Sequence, residues 1–388
     1  MDKLQAQWID SVERALEMLE LYATADEERK AGAVAYNDPV TGRAELVDAT
    51  KVRVCYRQLE RASKAAQLSD TDTERYAVAR ERLLLALRPR GREQVGEAVF
   101  PGEKLQGNAV AVSPWMVQAF AKTSGDRNRY HLDSAYAEQS RFKGLVAHGL
   151  FTVCHLLASL GRRLPAYALD ALETHFRAPV YFGESITPLA EVQEVVEGGK
   201  ALLRLSAVNQ DGTVVCEGTA TLRPEKPGDL LATPPEELAW LRQWARDVTP
   251  VVPATIYDFT DPATPRQQTF AKTITIELVR ATQALFGPLY PHQVSTLLAL
   301  GTMAMTSAES SPGHLLLTVR VSQFGASIEM DDQLSISATA PPPGQIRRSQ
   351  KEKGTPIVPV DIPVTNQWGA LVLQGQVIKL MEDPERSF

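Results

Sequence analysis

The sequence predicts an α+β protein in which two successive units each curl an antiparallel sheet around one buried helix, behind a mainly helical N-terminal domain. Three observations lead there. Residues 149–160 are apolar nearly all round, as a helix is when it is enclosed on every side, and residues 291–301 parallel them. Each is followed by segments that alternate apolar and polar residues, the signature of strands with one buried face. The last third also repeats the order of the middle third, so the fold is read as a duplication.

Residues 1–91 form the helical domain. Trp8, Val12, Ala15, Leu16, Leu19 and Tyr22 recur at helical spacing, with Glu13, Glu17 and Glu20 on the opposite side. The turn-forming stretch from Asn37 to Gly42 separates Val34-Ala35-Tyr36 from Ala44-Glu45-Leu46, which suits a short hairpin. Two further helices follow, one burying Val52, Cys55, Leu59, Ala62 and Ala66, the other running from near Asp72 to before Pro89. No cluster of catalytic residue types occurs here, so the domain reads as a packing or docking module.

Residues 92–223 form the first β-rich unit. Asn108 to Val112 reads as a strand, and Ser113-Pro114 as an N-cap with proline at the first helical position. The helix to Lys122 leads into Ser124-Gly125-Asp126-Arg127-Asn128-Arg129-Tyr130-His131-Leu132-Asp133, and Val146-Ala147-His148-Gly149 heads the first apolar helix. Strands are expected over 174–180 and 186–196, then at Leu203, Leu205 and Ala207, and, past the Asp211-Gly212 turn, at Val214, Cys216, Gly218, Ala220 and Leu222.

Residues 224–266 are rich in proline, with one helical stretch carrying Leu238, Leu241, Trp244 and Val248; this is a linker that packs down partway. Residues 267–388 form the second unit. Pro291-His292-Gln293-Val294 parallels Ala147-His148-Gly149-Leu150, and alternating runs follow at Leu315 to Val321, Leu334 to Ala340, Val358 to Val364 and Leu371 to Leu380. The polar loop has no counterpart: Ala284 to Tyr290 runs almost straight into the helix, so the second copy is expected to be catalytically silent, with His292 a relic.

Composition narrows the function classes. At 388 residues, with 44% hydrophobic and 23% charged residues, the chain is an ordinary globular protein of more than one core. A net charge of -6 offers no basic footprint for nucleic acid. The N-terminus lacks a basic segment leading into an apolar one, and no run is long enough to span a bilayer, so the chain is read as cytoplasmic, with no membrane partner. Cys55, Cys154 and Cys216 lack metal-ligand spacing and sit in apolar patterns, so they are read as buried thiols. His155 and His175 are read as satisfied structural histidines, and Arg347, Arg348, Lys351 and Lys353 as a solvated loop.

The polar loop carries the chemistry. An acid, an amide and an imidazole within six residues are too crowded for one helix face and suit a loop that turns them toward one point. Gly125-Asp126-x-Asn128-x-x-His131-x-Asp133, together with Val146-Ala147-His148-Gly149 and the downstream Phe176-Arg177-Ala178-Pro179-Val180-Tyr181-Phe182-Gly183-Glu184, resembles the MaoC-like family of (R)-specific enoyl-CoA hydratases and 3-hydroxyacyl dehydratases. The match covers roughly residues 100–223, and the second copy resembles the family only in outline. One position departs from the pattern: Arg129 stands where the family has proline, which removes a backbone restraint from the loop. In two-repeat relatives, moreover, the active repeat is typically the second, whereas here it is the first.

The resemblance implies a double hot dog and the reversible syn hydration of 2-enoyl thioesters to (R)-3-hydroxyacyl thioesters, carried by CoA or acyl carrier protein. It implies Asp126 and His131 as the acid/base pair on a shared water, and Asn128 as its orienting group. Water must be activated for attack at C3, C2 must be protonated, and the enolate oxygen needs donors; the residues leave open which group protonates C2. The Gly149 N–H at the head of a buried helix, beside His148, is the expected oxyanion contact. No metal or other cofactor is required. Arg129, Arg141 and Lys143, with Arg127, surround the loop and are candidates for the phosphates of the thioester carrier. A homodimer is compatible with this reading. Two alternatives are a non-catalytic acyl-thioester-binding subunit of a fatty acid or polyketide assembly and a hot-dog thioesterase; the latter chemistry does not call for this loop.

Overall fold

The structure is a computed structural model that describes residues 15, 18, 34–37, 44–47, 99–231, 233, 235–251, 266–310, 314–351 and 354–381. It divides into two compact units between Gly102 and Glu103. In the first, Ala15 and Met18 are helical and buried. Strands β1 (Val34–Asn37) and β2 (Ala44–Val47) pair antiparallel around the expected turn. The other expected helices of residues 1–91, and Cys55, lie outside the described residues.

The second unit is built on one twelve-stranded sheet. Its first half comprises β3 (Lys104–Gln106), β4 (Val110–Ala111), β5 (Tyr167–Phe176), β6 (Ser185–Val195), β7 (Ala201–Asn209) and β8 (Val214–Pro224). The helices of this half are α1 (Pro114–Ser124), α2 (Arg129–Leu132), α3 (Ser134–Gln139) and α4 (Gly149–Gly161). Helix α5 (Pro235–Trp244) falls in the proline-rich stretch. The second half comprises β9 (Gln267–Thr273), α6 (Ile276–Phe286), α7 (Pro291–Ser310), β10 (His314–Phe324), β11 (Gln333–Thr339), β12 (Arg347–Arg348), β13 (Pro356–Thr365) and β14 (Leu371–Met381). The main path is β3-β6-β7-β8-β5-β10-β14-β13-β11-β9, with β4 added to β6 and β12 to β13.

The halves meet at β5 and β10, where Leu172 pairs with Val321, Thr174 with Val319 and His175 with Thr318. Each half sets its sheet against its own long helix, α4 or α7, and the two helices pack together. The architecture is a double hot dog. Helix α4 buries Leu150, Phe151, Val153, Cys154 and Leu156, as its all-round apolar pattern requires. Leu203, Leu205 and Ala207 on β7 face the same core as Cys216, Ala220 and Leu222 on β8. Among the described residues no helix is long and apolar enough to cross a membrane.

Several local expectations change. β5 begins at Tyr167 and ends at Phe176, not at Pro179. The ladder breaks at residues 177–180: the Arg177 and Ala178 N–H groups share the Val215 carbonyl of β8, at 2.9 and 3.4 Å, and beyond them the Ala147 N–H donates to the Val180 carbonyl at 2.8 Å and Val146 bridges Tyr181. The polar loop is not wholly irregular, since α2 and α3 each add a short helical turn. Ser113 takes the N-cap position of α1, yet its hydroxyl makes no capping bond.

Candidate active site

The loop is assembled by short-range polar contacts that point its side chains inward. Helix α1 ends at Gly125, whose φ of 89° is the left-handed conformation that glycine adopts without penalty. The Ser124 hydroxyl donates to the Phe120 carbonyl at 2.6 Å and accepts the Asp126 N–H at 3.0 Å. Asp126 Oδ1 accepts the Asn128 N–H at 3.3 Å, and Asn128 Oδ1 caps α2 by accepting the Tyr130 N–H at 3.2 Å. Asp133 caps α3 in the same way through Tyr136, at 3.1 Å. The acid of this motif's last position is therefore a helix cap.

Two imidazoles complete the cluster. His131 Nδ1 lies 2.8 Å from the Val146 carbonyl, and His148 Nε2 lies 2.8 Å from the Asp126 carbonyl. A carbonyl only accepts, so each of these nitrogens carries its proton and the opposite nitrogen keeps a lone pair. The rings stack with centroids 3.7 Å apart and planes at 34°. Asp126 and His148 are buried, and His131 is half-buried at the edge of the cavity.

Burial moves the carboxyl and the imidazoles in opposite directions. Burial pushes the Asp126 carboxyl up to about 7, against the Asn128 N–H and the Lys379 charge, which both pull it down. Burial brings His131 down to about 4, against its bond to Val146. His148 is driven well below its ordinary value by burial and then by its neighbour His131. Near neutrality, the site thus holds neutral imidazoles beside a carboxyl that is partly protonated.

Donor atoms of Asp126, His131 and His148 lie within 4.8 Å of one another.

A cavity of about 310 Å³ opens onto this cluster. Asp126, Asn128, His131, Arg141 and Gly149 line it, with Phe176, Tyr181 and, from β10 of the second half, His314 and Leu316. Gly149 is the first residue of α4, and a Cβ there would come within 2.9 Å of the Phe176 ring, so this stretch of wall admits no side chain. His148 stands behind the wall rather than on it, supporting His131. Arg129 faces away from the cavity: its guanidinium pairs with Asp133 at 2.9 Å and lies 4.2 Å over the Tyr136 ring. Lys143 is exposed, has φ 56° and does not line the cavity. Of the expected phosphate contacts, the structure brings only Arg141 to the site.

Other expectations divide. Cys154 and Cys216 are buried thiols whose ionisation burial opposes. His175 is satisfied by Thr318 at 3.1 Å. His155 is not: it is buried among Phe151 and Phe286, and neither ring nitrogen meets a partner among the described residues. His292 lies away from the cluster, bonded through Nε2 to the Tyr167 carbonyl at 3.1 Å.

Sequence reasoning missed the residues that reach the loop from the second half. Lys272 Nζ on β9 donates to the Thr123 carbonyl and, at 2.9 Å, to the Ser124 carbonyl. Lys379 on β14 is 1% exposed and donates to the Thr306 carbonyl at 3.3 Å. Met305 on α7 packs where a Gly125 side chain would go, 3.1 Å from the position of its Cβ. A signal existed for both lysines: each occupies the inward register of an alternating strand, Lys272 in line with Phe270 and Lys379 in line with Val377.

Comparison with known proteins agrees with this fold. The model of the MaoC like domain matches residues 97–209. A 3-hydroxybutyryl-CoA dehydratase of Methylorubrum extorquens is 33% identical over 114 residues, which cover 28% of this chain and 71% of the relative. An (R)-specific enoyl-CoA hydratase of Rhodospirillum rubrum is 33% identical over 118 residues, covering 29% of this chain and 81% of the relative. Fold similarity extends further along the chain. A solved MaoC-like dehydratase covers 73% of this chain and 98% of its own with a TM-score of 0.52 at 13% identity. A conserved hypothetical protein from Mycobacterium tuberculosis, described as having a double hotdog fold, covers 73% and 97% with a TM-score of 0.51 at 16% identity. Fold and sequence together define a double hot-dog protein. The chain belongs to the MaoC-like family.

Proposed function

We propose that the chain catalyses reversible hydration of 2-enoyl thioesters and dehydration of (R)-3-hydroxyacyl thioesters, carried by CoA or acyl carrier protein. The observation that carries this reading is the pairing, on one cavity, of a neutral imidazole with a carboxyl held partly protonated near neutrality. Names of the relatives support it: two act on CoA thioesters, and an Arabidopsis thaliana relative, 28% identical over 109 residues, is a 3-hydroxyacyl-[acyl-carrier-protein] dehydratase. Residues 92–223 carry the chemistry in this proposal, and residues 267–388 complete the acyl-binding surface through β10.

In the hydration direction His131 Nε2 takes a proton from water as its oxygen bonds to C3. The C2=C3 electron pair moves toward the thioester carbonyl, whose developing charge meets the Gly149 N–H at the positive end of α4. Asp126 then gives its proton to C2, and the proton on His131 passes back to the carboxylate, restoring both groups. Both act from the same wall of the cavity, so addition is syn. Asn128, whose Oδ1 is committed to capping α2, offers its amide N–H groups to the water. Arg141 meets the carrier's phosphate at the cavity mouth. Dehydration is the same path reversed.

Offering crotonyl-CoA, longer enoyl-CoAs and carrier-bound enoyl groups tests the proposal. Turnover is expected on at least one, with Asp126→Asn and His131→Ala each slowing it by about 10²- to 10⁴-fold. No turnover on any of them would favour a protein that binds acyl thioesters without converting them, and unchanged rates in both variants would remove the assigned residues.

A further inference from the structure

Donors from other elements hold the backbone of the polar loop. Lys272 Nζ on β9 donates to the Thr123 and Ser124 carbonyls, and His148 Nε2 to the Asp126 carbonyl. The next carbonyl, that of Arg127, accepts the Val251 N–H at 2.9 Å, from the proline-rich stretch that joins the two hot dogs. Val251 follows α5, which is anchored on α1. Leu241 of α5 and Ala245 just past it are fully buried. Lys122 Nζ of α1 donates to the Trp244 carbonyl at 2.5 Å and lies 4.4 Å from the centre of a Trp244 ring, and Arg242 lies 5.0 Å over the Trp115 ring. A helix fixed to α1 in this way delivers Val251 to the residue that separates Asp126 from Asn128.

The peptide that receives this bond meets the acid at its other end. A peptide is planar and trans, so its C=O and N–H point in opposite directions. The unit joining Arg127 to Asn128 accepts from Val251 through its oxygen and donates through the Asn128 N–H to Asp126 Oδ1, at 3.3 Å. That second bond is already longer than usual for an N–H donor, so a small rotation of the peptide plane loses it. We propose that Val251 is a positioning residue for Asp126: its N–H turns the shared peptide so that the Asn128 N–H stays on the carboxyl, which ties this acid to the linker between the hot dogs. The inference rests on the assignment of Asp126 as the acid of the proposed hydratase. Ionisable groups reach the carboxyl and its loop from four elements. They are His131 on α2 and His148 at the head of α4, both held neutral by burial, Lys272 on β9, and Lys379 on β14, whose charge favours the carboxylate as the Asn128 N–H does. On the loop itself Arg127 is exposed and Arg129 pairs with Asp133, while Arg141 lines the cavity. All of them are kept when the Val251 N–H alone is removed.

The test uses Val251→Pro, which lacks the N–H, and a second protein in which residue 251 is the α-hydroxy acid of valine, so that an ester oxygen replaces the N–H and the side chain is kept. The ester protein serves if the proline variant does not fold. The Asp126 carboxyl is titrated directly by carbon-13 NMR, assigned with Asp126→Asn, beside the pH profile of kcat/KM. An N–H given to a carboxylate favours its charged form, so losing it moves the titration midpoint, and the kinetic limb that belongs to Asp126, to higher pH by about half a unit to one unit, the share of one backbone donor. Val251→Ala, which keeps the N–H, keeps the midpoint of the unmodified protein. A midpoint that stays put in a folded protein without the N–H overturns the proposal, even if the rate falls, because a strap that merely stabilises the loop would give that result. An equal shift in Val251→Ala overturns it too, by placing the effect in the side chain. If the unmodified protein turns over no enoyl thioester while the midpoint still shifts, the functional reading fails and the effect of Val251 on Asp126 stands.

Discussion

At the scale of single residues, the proposed chemistry rests on what burial does to two ordinary side chains. A carboxyl raised to about 7 and an imidazole lowered to about 4 exchange the protonation states they would have in water over the interval between those values. His131 must be unprotonated to accept a proton from water, which holds above its value, and Asp126 must be protonated to donate, which holds below its own. The pH profile of kcat/KM is therefore expected to be a bell with limbs at about 4 and about 7, each a property of the coupled pair. Asp126→Asn abolishes the alkaline limb along with most of the activity. A profile that kept rising past pH 8 would assign Asp126 the role of base instead.

At the scale of elements, the substitution at the proline position of the motif has a local structural answer. Arg129 is the first residue of α2, the one helical position where proline is at ease, and Asn128 before it has φ −62° and ψ 141°, the conformation that a following proline prefers. The loop thus keeps the shape that the family's proline would impose. Arg129 replaces the covalent restraint with a fork to Asp133, four residues on, and a face over Tyr136. Arg129→Pro is accordingly expected to leave kcat within about threefold of the original, with melting temperature changed by a few degrees at most. A loss of activity comparable to that of His131→Ala would mean that the arginine itself does work in the cavity. The loop, helix α4 and the duplicated strand order were legible in the sequence because each depends on neighbours within a turn or a strand. The departure of residues 177–180 from β5 was not, since it turns on the Val215 carbonyl that Arg177 and Ala178 share and on Ala147 and Val146, all about thirty residues or more away. Nor were the partners of Lys272 and Lys379, because a lysine in an inward register announces a buried charge without saying which carbonyl or carboxylate receives it.

At the scale of the whole molecule, the two hot dogs are one sheet, joined where β5 meets β10. Val319 and Thr174, paired across this seam, are both fully buried. An acid placed there would lack a partner, so Val319→Asp is expected to destabilise residues 103–381 by about 3 kcal/mol or more. Hydrogen exchange should report the damage in both halves together, since neither has a free edge at the seam that it can close alone. Faster exchange confined to β10 and β14 would show the halves to be independent.

The joined sheet also bears on symmetry. A two-fold dimer of identical hot dogs must write every residue twice: a lysine placed behind one loop appears behind the other, and any change made for one site is imposed on both. Two halves on a single chain escape that rule. One can give up its own loop and devote its inward positions to its neighbour's, so that the cavity beside Asp126 has two unlike sides.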